Sequence, residues 1–192
     1  MTSRSCVISV TASNPTRVVL TRTEAVLVSS YRGASQGKSH EQEPKMTVAN
    51  LDDFKALEPF FDVIKEGLKG KVDGEQFFDL LADDIVTEFV VTVPSYPRRV
   101  EGRDALAELY RPYGDTMQLE SAGDLAVHYD REASVVVLEY SVQGHVVETN
   151  RPYTNRFVSV ITVTDGKVTH WRDYLDSYAV MQAFNDDLPA WE

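Results

Sequence analysis

The chain predicts an α+β fold in which a curved antiparallel sheet wraps N-terminal helices and encloses a pocket. Three features carry that expectation. Apolar residues recur at helical spacing between 59 and 113, four strand-like segments follow between 117 and 176, and Asp165-Gly166 before the last of them is a two-residue hairpin signal. Helices first and a meandering sheet afterwards pack as two layers. With 192 residues, 43% of them apolar and 26% charged, the chain has the length of one domain and enough apolar side chains to build its own core.

Residues 1–45 are Ser/Thr-rich, carry six Arg or Lys against three Glu, and show no sustained period, so they are expected to be a flexible leader. Two other accounts stand beside that one: translation that truly starts at Met46, and a partner-binding arm. The domain proper spans 46–192. Pro59 suits a first helical turn, and Phe60, Phe61, Ile64 and Leu68 continue at helical spacing up to Gly70. Asp73 with Gln76 resembles a capping box ahead of a second short helix through Phe77, Phe78, Leu80 and Leu81. Residues 85–93 are rich in β-branched side chains and stop at Pro94, where a Pro-Ser-Tyr-Pro stretch forms a stiff loop at a cavity edge. A third helix follows Gly102, with Ala105, Leu106, Leu109, Tyr110 and Tyr113 along one side and Pro112 and Gly114 closing it. Strands are expected near 117–129, 134–143, 153–164 and 167–176, and Asp176 reads as the N-cap of a last short helix ending near Phe184.

Composition excludes several classes of function. A formal charge of −11 opposes binding to a phosphate backbone, so no nucleic-acid partner is expected. Cys6 is the single cysteine, which rules out an intramolecular disulfide and fits a reducing compartment, the cytoplasm. No apolar run approaches the roughly 18 residues of a spanning helix, so no membrane partner is expected either. His128, His145 and His170 lie on different segments without metal-ligand spacing, and no phosphate loop, nucleophile elbow or dinucleotide fingerprint occurs. The expectation is a protein with neither metal nor cofactor.

Residues two apart on a strand share a face, so Trp171, Asp173 and Leu175 point one way and His170, Arg172 and Tyr174 the other. The first set is expected inside, facing Tyr153, Asn155, Phe157, Ser159 and Ile161 of the preceding strand. A carboxyl in that apolar setting loses hydration, its pKa rises, and it becomes able to take and return a proton near neutrality. The competing account has Asp173 satisfied by a neighbouring Arg or Tyr and only shaping the cavity. Glu139 and Tyr140 lie on opposite faces of their strand, so one of them reaches the cavity, Glu139 as a second carboxylate or Tyr140 as an oxyanion donor. Tyr96 and Tyr113 are placed to line the mouth. Arg98 and Arg99 read as a solvated edge outside the site.

Four stretches carry a family resemblance. Gly166-Lys167-Val168-Thr169-His170-Trp171-Arg172-Asp173-Tyr174-Leu175-Asp176 resembles the closing strand of the SnoaL-like branch of the nuclear-transport-factor-2-like superfamily. Phe78 to Asp84, Val100 to Ala105 and Arg151 to Phe157 resemble that family's earlier signatures in the right order, so the likeness covers roughly residues 52–184. It implies a cone-shaped α+β barrel, commonly a homodimer through its sheet. Its members include polyketide cyclases, ketosteroid isomerases, limonene-epoxide hydrolases, phenazine-biosynthesis proteins and non-catalytic members, so fold alone does not settle the chemistry.

Within Trp171-Arg172-Asp173-Tyr174, Asp173 matches the position where epoxide hydrolases of this fold carry a catalytic aspartate. Their Arg-x-Asp on an earlier strand is missing from Val137-Leu138-Glu139-Tyr140-Ser141, so a complete hydrolase triad is not visible. The aspartate-proline of the ketosteroid isomerases is replaced by Val93-Pro94. The resemblance therefore implies a small-molecule-binding, cofactor-independent acid/base enzyme. Asp173 would handle a proton during cyclisation or isomerisation of an apolar carbonyl-bearing or cyclic metabolite, while Tyr153, Asn155, Phe157 and Trp171 hold that substrate. Two alternatives accompany it: a non-catalytic ligand-binding or dimerisation module, and epoxide-hydrolase-like activity with an incomplete triad.

Overall fold

The computed structural model describes residues 51–94 and 96–185; the expected leader and the last seven residues lie outside them. A 3-10 stretch, Leu51–Leu57, leads into helix α1 (Glu58–Leu68), whose first turn holds Pro59. Phe60, Phe61, Val63, Ile64, Gly67 and Leu68 are its buried residues. The next turn, Phe77–Leu80, is 3-10 rather than α, and its capping box joins Gln76 to Asp79, not Asp73 to Gln76. Asp73 instead ties this region to the distant hairpin, its backbone N–H donating to the Gly166 carbonyl at 2.8 Å. Its carboxylate also occupies the space a side chain at Gly166 would need, since an ideal Cβ there would lie 2.2 Å from Asp73 Oδ2. Asp165 and Gly166 both have positive φ, 50° and 74°, the geometry of the tight hairpin turn that this pair signals.

Six strands follow one sheet order, β2-β1-β6-β5-β4-β3. They are β1 (Leu81–Phe89), β2 (Arg99–Glu101), β3 (Met117–Asp130), β4 (Val135–Val146), β5 (Pro152–Thr164) and β6 (Lys167–Leu175). Strands β3 to β6 are the expected antiparallel meander. Two features correct the expected architecture. The sheet is mixed, because β1 pairs parallel with β6, and it does not close into a barrel, because β2 and β3 do not pair with each other and, among the described residues, have no second neighbour. Strand β1 also starts and stops earlier than its β-branched residues suggest, and Asp83 and Asp84 are both exposed where its register with β6 shifts between Leu81 and Val86.

Helices α2 (Arg103–Tyr110) and α3 (Tyr113–Thr116) bridge β2 to β3, and α4 (Ser177–Phe184) closes the described chain. The inner side of α2 is Leu106, Ala107 and Tyr110; Ala105, expected there, is exposed. The inner sheet face and α1 share a core of aromatic rings, with Phe61 stacked on Phe77 at 4.1 Å and Phe60 within 6.1 Å of both Tyr140 and Trp171. Among the described residues, no helix is long and apolar enough to cross a membrane.

Among the described residues, two buried side-chain polar atoms lack a hydrogen-bond partner, Thr87 Oγ1 and Arg103 Nε. Thr87 on β1 is 1% exposed, and its hydroxyl has no hydrogen-bond partner among the described residues. Thr87→Val keeps the shape and removes that desolvated hydroxyl, so urea unfolding is expected to show a gain of about 1 kcal/mol. Equal or lower stability would mean that the hydroxyl is satisfied in solution by a bound water.

Candidate active site

A cavity of about 410 Å³ lies between the inner sheet face and the helices. Its wall draws Phe60 from α1, Phe89 from β1, Pro94 and Tyr96 from the following loop, and Tyr110, Tyr113 and Thr116 from α2 and α3. The sheet adds Met117, Leu119, Val142, Tyr153, Phe157, Asp173 and Leu175, and α4 contributes Val180 and Phe184. Among the described residues, Asp173 is the single charged side chain in that lining, with no Lys, Arg or His.

The β5–β6 register sets Ser159 directly across from Asp173 and Ile161 across from Trp171. Ser159 Oγ donates to Asp173 Oδ1 at 2.6 Å, and Trp171 Nε1 donates to the same oxygen at 3.3 Å. Among the described residues no group bonds Oδ2. Asp173 is 5% exposed, and burial pushes its carboxyl up to about 6 from an ordinary 3.8, against the opposing pull of the Ser159 and Trp171 hydrogen bonds. Burial, with a smaller contribution from the Asp173 charge, raises the hydroxyls of Tyr96 and Tyr110 above the ordinary phenol value and that of Tyr153 to about 12. These tyrosines stay protonated and act as donors. The hydroxyls of Tyr96, Tyr110 and Tyr113 have no protein partner among the described residues, so all three are available to a ligand.

The residues expected from sequence separate into three groups. Asp173, Tyr96, Tyr113, Tyr153 and Phe157 line the cavity. Trp171, Asn155 and Tyr140 are buried behind that wall, each with its own partner. Asn155 Nδ2 donates to Tyr153 Oη and to the Asp176 carbonyl, both at 2.9 Å, while its Oδ1 accepts from the Asp176 backbone N–H. These bonds anchor Tyr153 and the start of α4. Tyr140 stacks on Phe157 at 5.2 Å, and its hydroxyl lies 3.1 Å from Ser159 Oγ, so it supports the wall rather than supplying an oxyanion donor.

Glu139 is a correction. The register that turns Leu138 and Tyr140 inward turns Glu139 out, where it meets His128 at 3.1 Å on the surface, so it is not a second cavity carboxylate. Arg98 and Arg99 lie outside the cavity: Arg99 pairs with Glu88 and Glu101, and Arg98 bonds Thr92 and the Val90 carbonyl. Tyr110 and Ser159 are among the site residues that the sequence did not single out. A tyrosine on a helix's apolar face needs a partner for its hydroxyl, which was the available signal for Tyr110.

A SnoaL-like domain model matches residues 58–171. The chain belongs to the SnoaL-like family. The uncharacterised Bacillus subtilis protein YesE is 30% identical over 112 residues, which span 58% of this chain and 76% of YesE. A Bacillus subtilis crystal structure provisionally named an isomerase superposes with a TM-score of 0.55 at 27% identity, covering 70% of this chain and 94% of that one. A phenazine biosynthesis-related protein from Pseudomonas aeruginosa gives 0.53 at 15% identity, over 78% and 93% of the two chains, and so supports the fold alone. Among the described residues, this chain joins an apolar cavity to a single buried carboxyl, and no cluster of three or more His, Cys, Asp or Glu could hold a metal ion.

Proposed function

We propose that this SnoaL-like protein is a cofactor-independent acid/base enzyme that isomerises or cyclises a neutral, largely apolar, carbonyl-bearing metabolite. The observation that carries the reading is Asp173 itself: among the described residues the one carboxyl in the wall of an apolar cavity, poised to titrate near 6, with one oxygen that none of them bonds. As a base, Asp173 removes a proton from a carbon next to the substrate carbonyl. The C–H electron pair moves into the new C–C double bond, and the carbonyl oxygen becomes an enolate oxygen. Tyr96 and Tyr110, which line the cavity and stay protonated, donate hydrogen bonds to that charge. Asp173 then returns the proton to a different carbon, giving isomerisation, or to the alkoxide formed when the enolate carbon attacks a second carbonyl, giving cyclisation. The isomerase name of the Bacillus subtilis neighbour points in the same direction.

No cation lines the cavity among the described residues, which favours a neutral substrate, because a carboxylate or phosphate would be desolvated beside ionised Asp173 without compensation from them. A thermal-shift screen should therefore favour neutral cyclic and polyketone-like compounds over their acids, since any ligand of the folded state raises its apparent stability. For a hit that turns over, Asp173→Asn is expected to lower kcat/KM by about 1,000-fold, the scale of a lost general base. The wild-type rate should fall as pH drops through about 6, as the base becomes protonated. A hit that binds and is never converted, or turnover that survives Asp173→Asn, would favour a ligand-binding module instead.

A further inference from the structure

Resting on that reading of Asp173, we infer that Ser159, backed by Tyr140, is a positioning residue. It commits Oδ1 of Asp173 to the protein and leaves Oδ2 as the oxygen that exchanges the proton. The number of available hydrogens dictates this. Ser159 has a single hydroxyl proton and sits 2.6 Å from Asp173 Oδ1 and 3.1 Å from Tyr140 Oη. When Asp173 is ionised it can only accept, so the Ser159 proton points to Oδ1 and the Tyr140 proton must point to Ser159 Oγ. Trp171 Nε1, which is only ever a donor, also points at Oδ1, from 3.3 Å.

Two donors therefore converge on Oδ1, with a third hydroxyl behind them. A proton arriving at Oδ1 would have to displace these donors inside a site where Ser159 is 0% exposed and Tyr140 and Trp171 are each 2% exposed, and each displaced donor would lose its partner. A proton arriving at Oδ2 displaces nothing. The backbone fixes this division: Ser159 pairs with Asp173 across β5–β6, Leu138 pairs with Ser159 across β4–β5, and Tyr140, two residues along β4, reaches Ser159 diagonally. The same chain holds the carboxylate down from the still higher pKa that burial alone would give, keeping it ionised enough to act as a base near neutrality.

Carbon-13 NMR of the side-chain carboxyl, followed against pH in the full-length protein, reads this directly. Ser159→Ala removes a donor to the charged form and is expected to move the Asp173 titration upward by about one unit, the scale of one hydrogen bond to an ionised group. Tyr140→Phe keeps the ring and its stacking and should move the titration the same way by less. Thr87→Val, which removes a buried hydroxyl outside the chain of bonds, should leave it in place. The acid limb of any pH–rate profile should follow each shift.

A Ser159→Ala titration that stays at the wild-type value or falls would overturn the inference, and so would a Thr87→Val shift as large as that of Ser159→Ala. Should Ser159→Ala fail to fold, Tyr140→Phe carries the test, and an unmoved titration in that variant has the same consequence. The carboxyl signal is read without any substrate. Unchanged turnover in Asp173→Asn would therefore sink the proposed reaction while leaving this result standing, and an unmoved titration would do the reverse.

Discussion

Asp173→Asn is expected to make the protein more stable at pH 8 while abolishing its use as a base. The sign follows from linkage. Burial raises the Asp173 carboxyl from 3.8 to about 6, so the folded state holds its proton over a range where the unfolded chain has already released it. Below about pH 4 the carboxyl is protonated in both states, and the site carries no ionic penalty. As pH rises through about 6 the folded protein must hold a desolvated charge, and above that the penalty is complete. Two pKa units correspond to about 3 kcal/mol. The asparagine cannot ionise, yet its amide oxygen still accepts from Ser159 and Trp171. The stability gap between variant and wild type should thus open by about 3 kcal/mol between pH 4 and pH 8, read by urea unfolding at a series of pH values. A gap that stays flat across that range would mean that water reaches the carboxyl freely.

Gly144→Ala is expected to cost more than about 3 kcal/mol and to lower the thermal midpoint by roughly 10 °C. A Cβ at Gly144 would lie 2.1 Å from the Gln118 carbonyl oxygen and 2.9 Å from Leu119 Cα, both backbone atoms that no rotamer change can move. The close approach sits where the β3–β4 register shifts between Leu119 and Ser121. An irregularity of this kind bends a strand and brings backbones together. Leu119 and Val142 on one side and Tyr153, the β5 partner of Gly144, on the other all line the cavity, so the substitution should also weaken any ligand found by screening. An unchanged midpoint would mean that β3 and β4 lie farther apart in solution than this close approach requires.

How far the sequence carries follows from what is local. The meander from β3 to β6 was legible because each strand alternates and each turn announces itself, Asp165-Gly166 most clearly. The parallel pairing of β1 with β6 was not, because residues far apart in the chain meet with no turn between them, and β2, only three residues long, gives no period to read. Alternation placed Trp171 and Asp173 on one face without further help. It could not choose between Glu139 and Tyr140, whose orientation depends on the register across two neighbouring strands. Helical spacing places Tyr110 on the apolar side of α2 without telling a cavity wall from packed core, since a helix shows the same apolar face to both. The Ser159–Asp173 bond is likewise a matter of register: sequence put both residues on inner faces but not opposite each other.

The proposed chemistry requires Asp173 to be a carboxyl held in a dry cavity with one oxygen open to a ligand. Its own titration in the wild-type protein, followed by the carbon-13 signal of the side chain, tests this most directly. A midpoint near 6 that moves when a cavity ligand binds is the predicted result. A midpoint at or below 3.8, unmoved by such a ligand, would contradict it.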